Sequence, residues 1–263
     1  MPLLRRGFVI RLLLLAAQTS PFTPPIGSGK TPWEPTSSPL VLMTWRDTWR
    51  DILAGGSPRW KVDNLEYKER ALQHIVEHSK RKENLNILCP LVGDDQFVFQ
   101  SFMRGHSVYA IDLVPEALAE IRKQFDNQDG WRREETETGS GVRWTHPSGQ
   151  VVLLEGDILQ RRKELERQFD VVYDKDSFGA LQKDLRSPYC ERMSEWLKED
   201  GIVYLEVKNK DTGRENGPPF HIEEQDIMSS WGASFEYIKG IGEVYPLRMA
   251  GFAQMGHLLK HVK

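Results

Sequence analysis

The stretch "CPLVGDDQFVFQSFMRGHSVYAID", residues 89–112, decides the fold. An apolar strand leads into a tight loop, then a helix that stops at Gly105, then a second strand that ends in an acid. This order predicts a nucleotide-binding βαβ unit. The loop carries one glycine, Gly93, where a dinucleotide-binding loop has three. The unit therefore favours a ligand that needs no close backbone contact with a pyrophosphate.

The same alternation of strands and helices continues on both sides of this unit. It predicts a doubly wound α/β sheet, parallel for the most part, with helices on both faces. The polar interval 126–150 predicts a small hairpin. Strands are predicted at 85–91, 107–112, 151–157, 169–177, 202–209, 233–241 and 252–262, and helices at 66–81, 95–105, 114–125, 187–201 and 221–232.

Composition narrows the function classes. The chain has 263 residues and a net charge of −3, so nothing in its overall charge points to a nucleic-acid partner. Two cysteines provide no disulfide framework and no metal-binding pattern. His74 and His78 lie four residues apart on a predicted helix, and a solvated helix face explains them best, so no metal is expected. No long exposed apolar stripe is apparent, and a monomer is the expected state.

The first 33 residues differ from the rest, because they carry four basic residues and no acid. Their apolar run "FVIRLLLLAA" is too short and too interrupted to span a bilayer stably. Pro, Ser, Thr and Gly dominate the residues that follow. We expect residues 1–40 to be a cleavable targeting segment and linker for a mitochondrion or plastid, with the secretory pathway or the cytoplasm as alternatives. Residues 41–263 form the predicted catalytic domain.

Three acids, Asp112, Asp157 and Asp174, lie at or just beyond predicted strand ends, where a ligand lies in such a sheet. An acid after the second strand suits the two hydroxyls of a ribose. Asp157 suits an adenine edge, with Ile158 able to cover the ring. The helix after Gly93 opens on two aspartates, which repel phosphate but tolerate an ammonium group. These features favour S-adenosylmethionine over NAD, although aspartates at strand ends are also ordinary turn formers.

The chain also resembles the thiopurine S-methyltransferase family, which includes thiocyanate and halide methyltransferases and bacterial enzymes linked to selenium and tellurium methylation. The resemblance covers about 45–262 and implies a Rossmann-like, seven-stranded methyltransferase sheet whose last strand is antiparallel. Its motifs occur in the family's order: "WRDTWRDILAGGSPRW" (45–60), "CPLVGDD" (89–95), "RGHSVYAIDL" (104–113), "VVLLEGDIL" (151–159), "FDVVYDKDSFGAL" (169–181) and "GPPFHI" (217–222).

Residue by residue, the resemblance implies a cofactor site for S-adenosylmethionine. A tryptophan-rich lid, residues 44–62, would cover the cofactor, and its aromatic faces would stabilise the sulfonium. Main-chain groups of the loop after the first strand would hold the methionine end of the cofactor. The implied cofactor-binding residues are Trp45, Trp49, Trp60, Leu91, Gly93, Asp112, Asp157 and Ile158.

The resemblance also implies an acceptor side. Asp174 and Lys175 match an Asp-Arg pair of the family and are the implied catalytic residues, while Trp60, Lys175 and Arg59 would contact the acceptor. Lysine keeps the positive charge but loses the planar fork of arginine. The chain departs from the family at two further positions, where it has Val92 and Phe97. These changes leave the implied cofactor site largely intact, and they affect which acceptor the enzyme would use.

The sequence therefore predicts an S-adenosylmethionine-dependent methyltransferase. Its acceptor would be a small thiol or a chalcogen, halide or thiocyanate anion, and the methyl group would move by in-line displacement. Such acceptors are largely ionised near neutral pH, so no strong general base is needed. Two alternatives remain open: an enzyme of the same fold that methylates nitrogen or oxygen, and a binding module that keeps the cofactor without turnover.

Overall fold

The computed structural model describes residues 39–56, 62, 64–125, 130–136, 141–247 and 251–262, with side chains from residue 46 onward. Almost all of the predicted targeting segment, 1–40, lies outside these residues. So do two predicted site residues, Arg59 and Trp60, and the side chain of Trp45. Among the described residues, none of the helices combines the length and apolar character needed to cross a bilayer.

One mixed sheet organises the described part of the chain, and its strands lie in the order β3-β4-β5-β2-β1-β6-β7-β9-β8. The strands are β1 (Asn86–Pro90), β2 (Ser107–Asp112), β3 (Arg132–Glu135), β4 (Val142–Thr145), β5 (Val151–Glu155), β6 (Phe169–Lys175), β7 (Leu197–Lys210), β8 (Phe235–Tyr245) and β9 (Phe252–His261). The helices are α1 (Pro39–Leu53), α2 (Leu65–His78), α3 (Phe97–Met103), α4 (Pro115–Arg122), α5 (Ser177–Ala180), α6 (Lys183–Trp196) and α7 (Glu224–Trp231).

Five neighbouring strands, β5, β2, β1, β6 and β7, run parallel. The last strand, β9, is antiparallel to both of its neighbours, as the sequence predicts. The predicted number of seven strands is wrong, because the described residues form nine. The two additional strands are the hairpin β3–β4, which was predicted as a separate feature. It joins the sheet through antiparallel pairing of β4 with β5.

Two apolar cores lie on opposite faces of the sheet. Helices α2, α3 and α4 supply one core, and α5, α6 and α7 supply the other. Along β6, Tyr173 points into the first core, and Asp174 contacts Tyr189 of α6 on the other face. This alternation is the ordinary period of a strand. It also means that Asp174 and Lys175, adjacent in sequence, serve opposite faces.

The end of α6 differs from the prediction, which placed it at Gly201. The helix ends at Trp196, and Leu197 begins β7 with extended backbone. The register of β6 against β7 then shifts, so that Leu197 and Ile202 both pair with β6 over an irregular stretch. Gly201 lies in this stretch, and a Cβ there would approach the Lys198 carbonyl oxygen to 2.9 Å and the Asp170 carbonyl oxygen of β6 to 3.2 Å. The glycine therefore permits close strand packing and does not terminate a helix.

Candidate functional site: the carboxyl edge of the parallel sheet

The loop after β1 is tied to the end of β2. The Asp112 carboxylate accepts the backbone N–H of Gly93 at 2.8 Å and that of Val114 at 2.9 Å, one bond to each oxygen. Each carboxylate oxygen can accept a further hydrogen bond. Asp112 therefore shapes the loop and keeps acceptor capacity for the two hydroxyls of a ribose.

Backbone conformation marks the same loop. Leu91 has a φ of 40° and Gly93 a φ of 58°, both in the left-handed region. For leucine this conformation is costly, by roughly 1–2 kcal/mol. The loop is held there by Asp112 and by a bond from the Val92 N–H to the Ile111 carbonyl at 3.3 Å. Strain of this kind concentrates at ligand-binding loops.

Helix α1, the predicted lid, lies against this loop. Trp49 is 3% exposed and packs with Val114 and Ala117 at the start of α4. A Cβ added to Gly93 would lie 3.6 Å from the Trp49 ring, an ordinary contact, so the positive φ is the feature that favours glycine here. The Trp49 ring thus lies against the loop after β1, and its role in covering the cofactor stays a prediction.

The loop after β5 contributes the predicted adenine-side residues. Asp157 accepts the Leu159 N–H at 2.8 Å, which makes it a turn former as well as a candidate ligand contact. Ile158 is fully buried in the apolar core on the α5–α7 face. Glu155, at the end of β5, forms a long ion pair of 3.8 Å with Arg46 of the lid helix. Because β2 and β5 are adjacent, Asp112 and Asp157 share one edge of the sheet.

The two aspartates that precede α3 were predicted to tolerate a cofactor ammonium group, and in the structure Asp95 pairs with a lysine. Asp95 accepts a 2.7 Å hydrogen bond from the Lys68 ammonium of α2, and both side chains are buried. Burial alone would raise the pKa of Asp95, but Lys68 and Lys175 outweigh it and hold the pKa below its ordinary value. Sequence reasoning did not find Lys68, because it lies 27 residues away on another helix.

Lys175 ends β6 inside a buried polar network. Its ammonium lies 3.7 Å from Asp176, which also accepts a 3.2 Å bond from Lys208 of β7. Burial opposes the charge on Lys175, yet Asp176, Asp95 and Glu206 together raise its pKa above the ordinary value. Lys175 therefore carries a positive charge that interacts with Asp95, two residues after Gly93. This interaction links the predicted acceptor-side residue to the loop after β1.

Asp174 lies on the other face of the sheet and is fully buried. Its oxygens accept the Tyr189 hydroxyl at 2.6 Å and the Phe178 N–H at 3.1 Å. Burial raises the pKa of Asp174 to about 7. This geometry holds α5 and α6 against the end of β6. It makes Asp174 a positioning residue for Lys175, the residue that follows it, and does not place its carboxylate on an open surface.

The donor set fits S-adenosylmethionine better than a dinucleotide. Burial raises the pKa of Asp112 to about 6, and the N–H groups of Gly93 and Val114 partly offset this effect. Hydroxyl donors of a bound ribose would stabilise the charged form further. The acids that follow Gly93 disfavour a pyrophosphate. Gly93, with its positive φ, is also the one glycine of this loop, whereas a dinucleotide-binding loop has three. Asp112 and the loop backbone thus have the donors and acceptors that this cofactor requires.

The two cysteine thiols and one surface concavity lie outside the set of predicted site residues. Burial raises the pKa of both thiols, Cys89 and Cys190, so neither is a ready thiolate nucleophile. A surface concavity of about 490 Å³ lies at the start of α6, beside the "GPPF" loop. Its lining contains none of the predicted cofactor residues. The lining residues are Gln182, Lys183, Asp184, Arg186, Arg214, Phe220 and His221.

Comparison with known proteins identifies relatives of the chain. The sequence model of the family described as thiopurine S-methyltransferase matches residues 44–243. A thiopurine S-methyltransferase of Acinetobacter baylyi is 24% identical over 155 residues, which are 59% of this chain and 70% of that protein. The corresponding protein of Legionella pneumophila is 26% identical over 145 residues, 55% of this chain and 63% of its own length. The alignments thus span about two thirds of these relatives.

A solved structure supports the fold. The chain is similar to the 1,6-didemethyltoxoflavin-N1-methyltransferase of Burkholderia thailandensis, which was crystallised with 1,6-didemethyltoxoflavin and S-adenosylhomocysteine. The TM-score is 0.57 at 15% identity, and the match covers 88% of this chain and 93% of that one. At this identity the likeness concerns the fold alone. It confirms the prediction of a Rossmann-like methyltransferase sheet.

Proposed function

Because the chain belongs to the thiopurine S-methyltransferase family of S-adenosylmethionine-dependent methyltransferases, we propose that it methylates a small anionic acceptor. The acceptor class is a thiolate or a related chalcogen, halide or thiocyanate ion. One observation carries this choice: the Lys175 ammonium ends β6, 3.7 Å from Asp176, and interacts electrostatically with Asp95, which follows Gly93 in the loop after β1. A fixed cation at that position attracts and orients an acceptor that already carries a negative charge.

Different residues around the cofactor loop bind different parts of the cofactor. In this proposal Asp112 accepts the ribose hydroxyls, while Asp157 and Ile158 flank the adenine. Backbone groups of Leu91 and Gly93 hold the methionine end. S-adenosylmethionine, when bound, supplies an electrophilic methyl group on a positively charged sulfur.

The lid and the network around Lys175 prepare the acceptor. Trp49 of α1 excludes water from the loop, which strengthens the electrostatic contacts beneath it. Lys175 holds the anion in line with the methyl group, and Asp174 fixes the end of β6 from the opposite face. Trp45, Trp60 and Arg59 complete the lid in the proposal. An anionic acceptor loses no proton in this reaction, so the site needs no general base.

The test measures transfer of labelled methyl groups by the full chain. The panel contains an aromatic thiol, thiocyanate, iodide, hydrogen sulfide and selenite, with an amine and a phenol as comparison acceptors. Labelled product from an anionic acceptor would support the proposal and identify the class of acceptor, whether thiol, thiocyanate, halide or chalcogen. Product from the amine or phenol alone would reassign the enzyme to nitrogen or oxygen. Tight cofactor binding without any product would indicate a silent binding module.

Variants of Lys175 separate acceptor binding from cofactor binding. Lys175→Ala should raise the KM for the anionic acceptor by about tenfold or more, as expected for loss of a charge-assisted contact. Its Kd for the cofactor should change little. Lys175→Arg, which restores the charge, should recover part of the lost affinity, and the exposed Lys163→Ala is the matched control. An unchanged KM in a folded Lys175→Ala protein would refute the assigned role.

A further inference from the structure

A cluster of metal-ligating side chains lies on α2, outside the methyl-transfer site. The sequence "HIVEH", residues 74–78, places His74, Glu77 and His78 on one turn of the helix. Each residue offers one ligand atom, and these three atoms all lie within 4.8 Å of one another. The sequence alone favoured a solvated helix face and no metal for these histidines, but the convergence of the three ligand atoms goes beyond that expectation. From this cluster, we propose that α2 carries a binding site for a divalent transition-metal ion, with zinc as the representative ligand.

The spacing explains why the three groups converge. Side chains three and four residues apart on a helix lie next to each other, so two imidazoles and a carboxylate meet on one face. Nitrogen and carboxylate oxygen are ordinary ligands of zinc, and imidazole also suits copper and nickel. Three protein ligands leave a further coordination position for water. The inverse order of the motif, with glutamate before the second histidine, is compatible with metal ligation by both histidines.

The local hydrogen bonds leave the ligand atoms available. His78 Nδ1 lies 2.9 Å from the His74 carbonyl oxygen of its own helix, so it donates there, and Nε2 carries the free lone pair. One Glu77 oxygen accepts from Gln73 at 2.7 Å, which orients the carboxylate and leaves its second oxygen. Nδ1 of His74 is buried and has no hydrogen-bond partner among the residues that the structure describes.

Charged side chains of both signs surround His74: Glu77 on its own helix, and the cations Arg70 and Lys239. The nearby cations also oppose a metal ion, and the Glu77 carboxylate offsets them. His74 stacks on Tyr204 of β7 with 6.4 Å between ring centroids. A bound ion would therefore brace the last turn of α2, whose His74 ring contacts the sheet.

Titration of the metal-free full chain with zinc chloride tests this site. We expect one equivalent of zinc to bind and the thermal unfolding temperature to rise. Cobalt, used as a spectroscopic probe, should show visible bands typical of nitrogen and oxygen ligation. His78→Ala and Glu77→Gln should each weaken zinc binding by about tenfold or more. His146→Gln, which removes a histidine on the hairpin side of the molecule, should bind zinc like the unmodified chain.

His74→Gln is a secondary variant, because His74 is partly buried and its loss can destabilise α2. If His74→Gln does not fold, the variants of the exposed Glu77 and the partly exposed His78 still test the site. Equal zinc affinity in the unmodified chain, His78→Ala and Glu77→Gln would overturn the proposal. Absence of zinc binding at micromolar concentration would overturn it as well. Neither result depends on the methyl acceptor.

Discussion

The Asp112 carboxylate accepts the backbone N–H of Gly93 at 2.8 Å, so the end of β2 holds the loop that follows β1. In the proposed function the same carboxylate also accepts the ribose hydroxyls. Asp112→Asn keeps the size of the side chain but removes its charge and one acceptor. We expect the Kd for S-adenosylmethionine to rise by about ten- to a hundredfold, as for loss of charge-assisted hydrogen bonds. Isothermal titration would measure it.

The control for this variant is Asp200→Asn, which makes the same change at a carboxylate outside the predicted cofactor residues. Asp200 forms ion pairs with Lys80 and Lys260. It should bind the cofactor as the unmodified chain does. Thermal unfolding should confirm that Asp112→Asn remains folded. Unchanged affinity in the folded variant would remove Asp112 from the cofactor site.

Cofactor affinity should depend on pH through the same residue. The pKa of Asp112 is raised to about 6 in the free protein, and ribose hydroxyls favour its charged form. Binding therefore requires loss of a proton at acidic pH. The affinity should fall by up to tenfold for each pH unit below about 6 and level off above it. Titrations on both sides of this pH would show the trend, and Asp112→Asn should lack it.

Asp174 should make the stability of the fold fall as the pH rises, whereas the cofactor affinity described above should increase with pH. Its pKa rises from 3.8 in the ordinary carboxyl to about 7 in the fold, so the folded state binds the proton more tightly. This contribution to stability is fully present below about pH 4 and is lost as the pH rises through about 7. The slope is at most about 1.4 kcal/mol per pH unit. Urea unfolding across this range should show a flatter profile for Asp174→Asn; an identical profile would contradict the assignment.

The buried pair of Lys68 and Asp95 should matter for stability more than any surface pair. Removing one partner of a buried ion pair leaves an unpaired charge and costs about 3–5 kcal/mol. Lys68→Met should therefore lower the free energy of unfolding by this amount. The double change Lys68→Met with Asp95→Leu should recover most of it. Lys80→Met, which breaks an exposed pair with Asp200, should cost less than about 1 kcal/mol.

The lid tryptophan should contribute to cofactor binding. Trp49→Ala removes an aromatic face beside Gly93, and the loss of a cation–π contact costs about 0.5–2 kcal/mol, or roughly three- to thirtyfold in Kd. Trp49→Phe should retain most of the affinity. Trp144→Phe, on the hairpin, is the matched control. If Trp49→Ala binds the cofactor with undiminished affinity, the packing of α1 seen here serves stability alone.

The sequence predicted the parallel core well, because strands buried on both faces are continuous apolar runs. "SVYAID" and "VVLLE" are bounded by polar or glycine residues and match β2 and β5 within two residues. The helix end at Gly201 was wrong, because a glycine has the same sequence signal whether it caps a helix or permits a strand irregularity. The extension of the sheet by β3–β4 was also missed, since four exposed, charged residues in β3 carry no strand pattern.

The residues of the candidate site also fall into two groups, those that could be predicted from sequence and those that could not. The placement of Asp112 and Gly93 together could be predicted from sequence, because both follow neighbouring strands; their roles in cofactor binding stay predictions. The network around Lys175 could not, since Lys208 and Gln254 reach Asp176 from strands far along the chain. For the same reason Lys68 was missed as the partner of Asp95. Long-range pairing of charges depends on the packed fold and leaves no local pattern.

The hairpin β3–β4 has a consequence for how separate molecules meet. Without it, the apolar strand β5 would end the sheet and present an open row of backbone N–H and C=O groups. The hairpin covers that row, and β3, with the sequence "RREE", takes the outermost place with all four side chains exposed. An edge strand made only of charged side chains, two arginines followed by two glutamates, disfavours joining to the sheet of another molecule. Deleting residues 130–146 should therefore increase aggregation at high concentration.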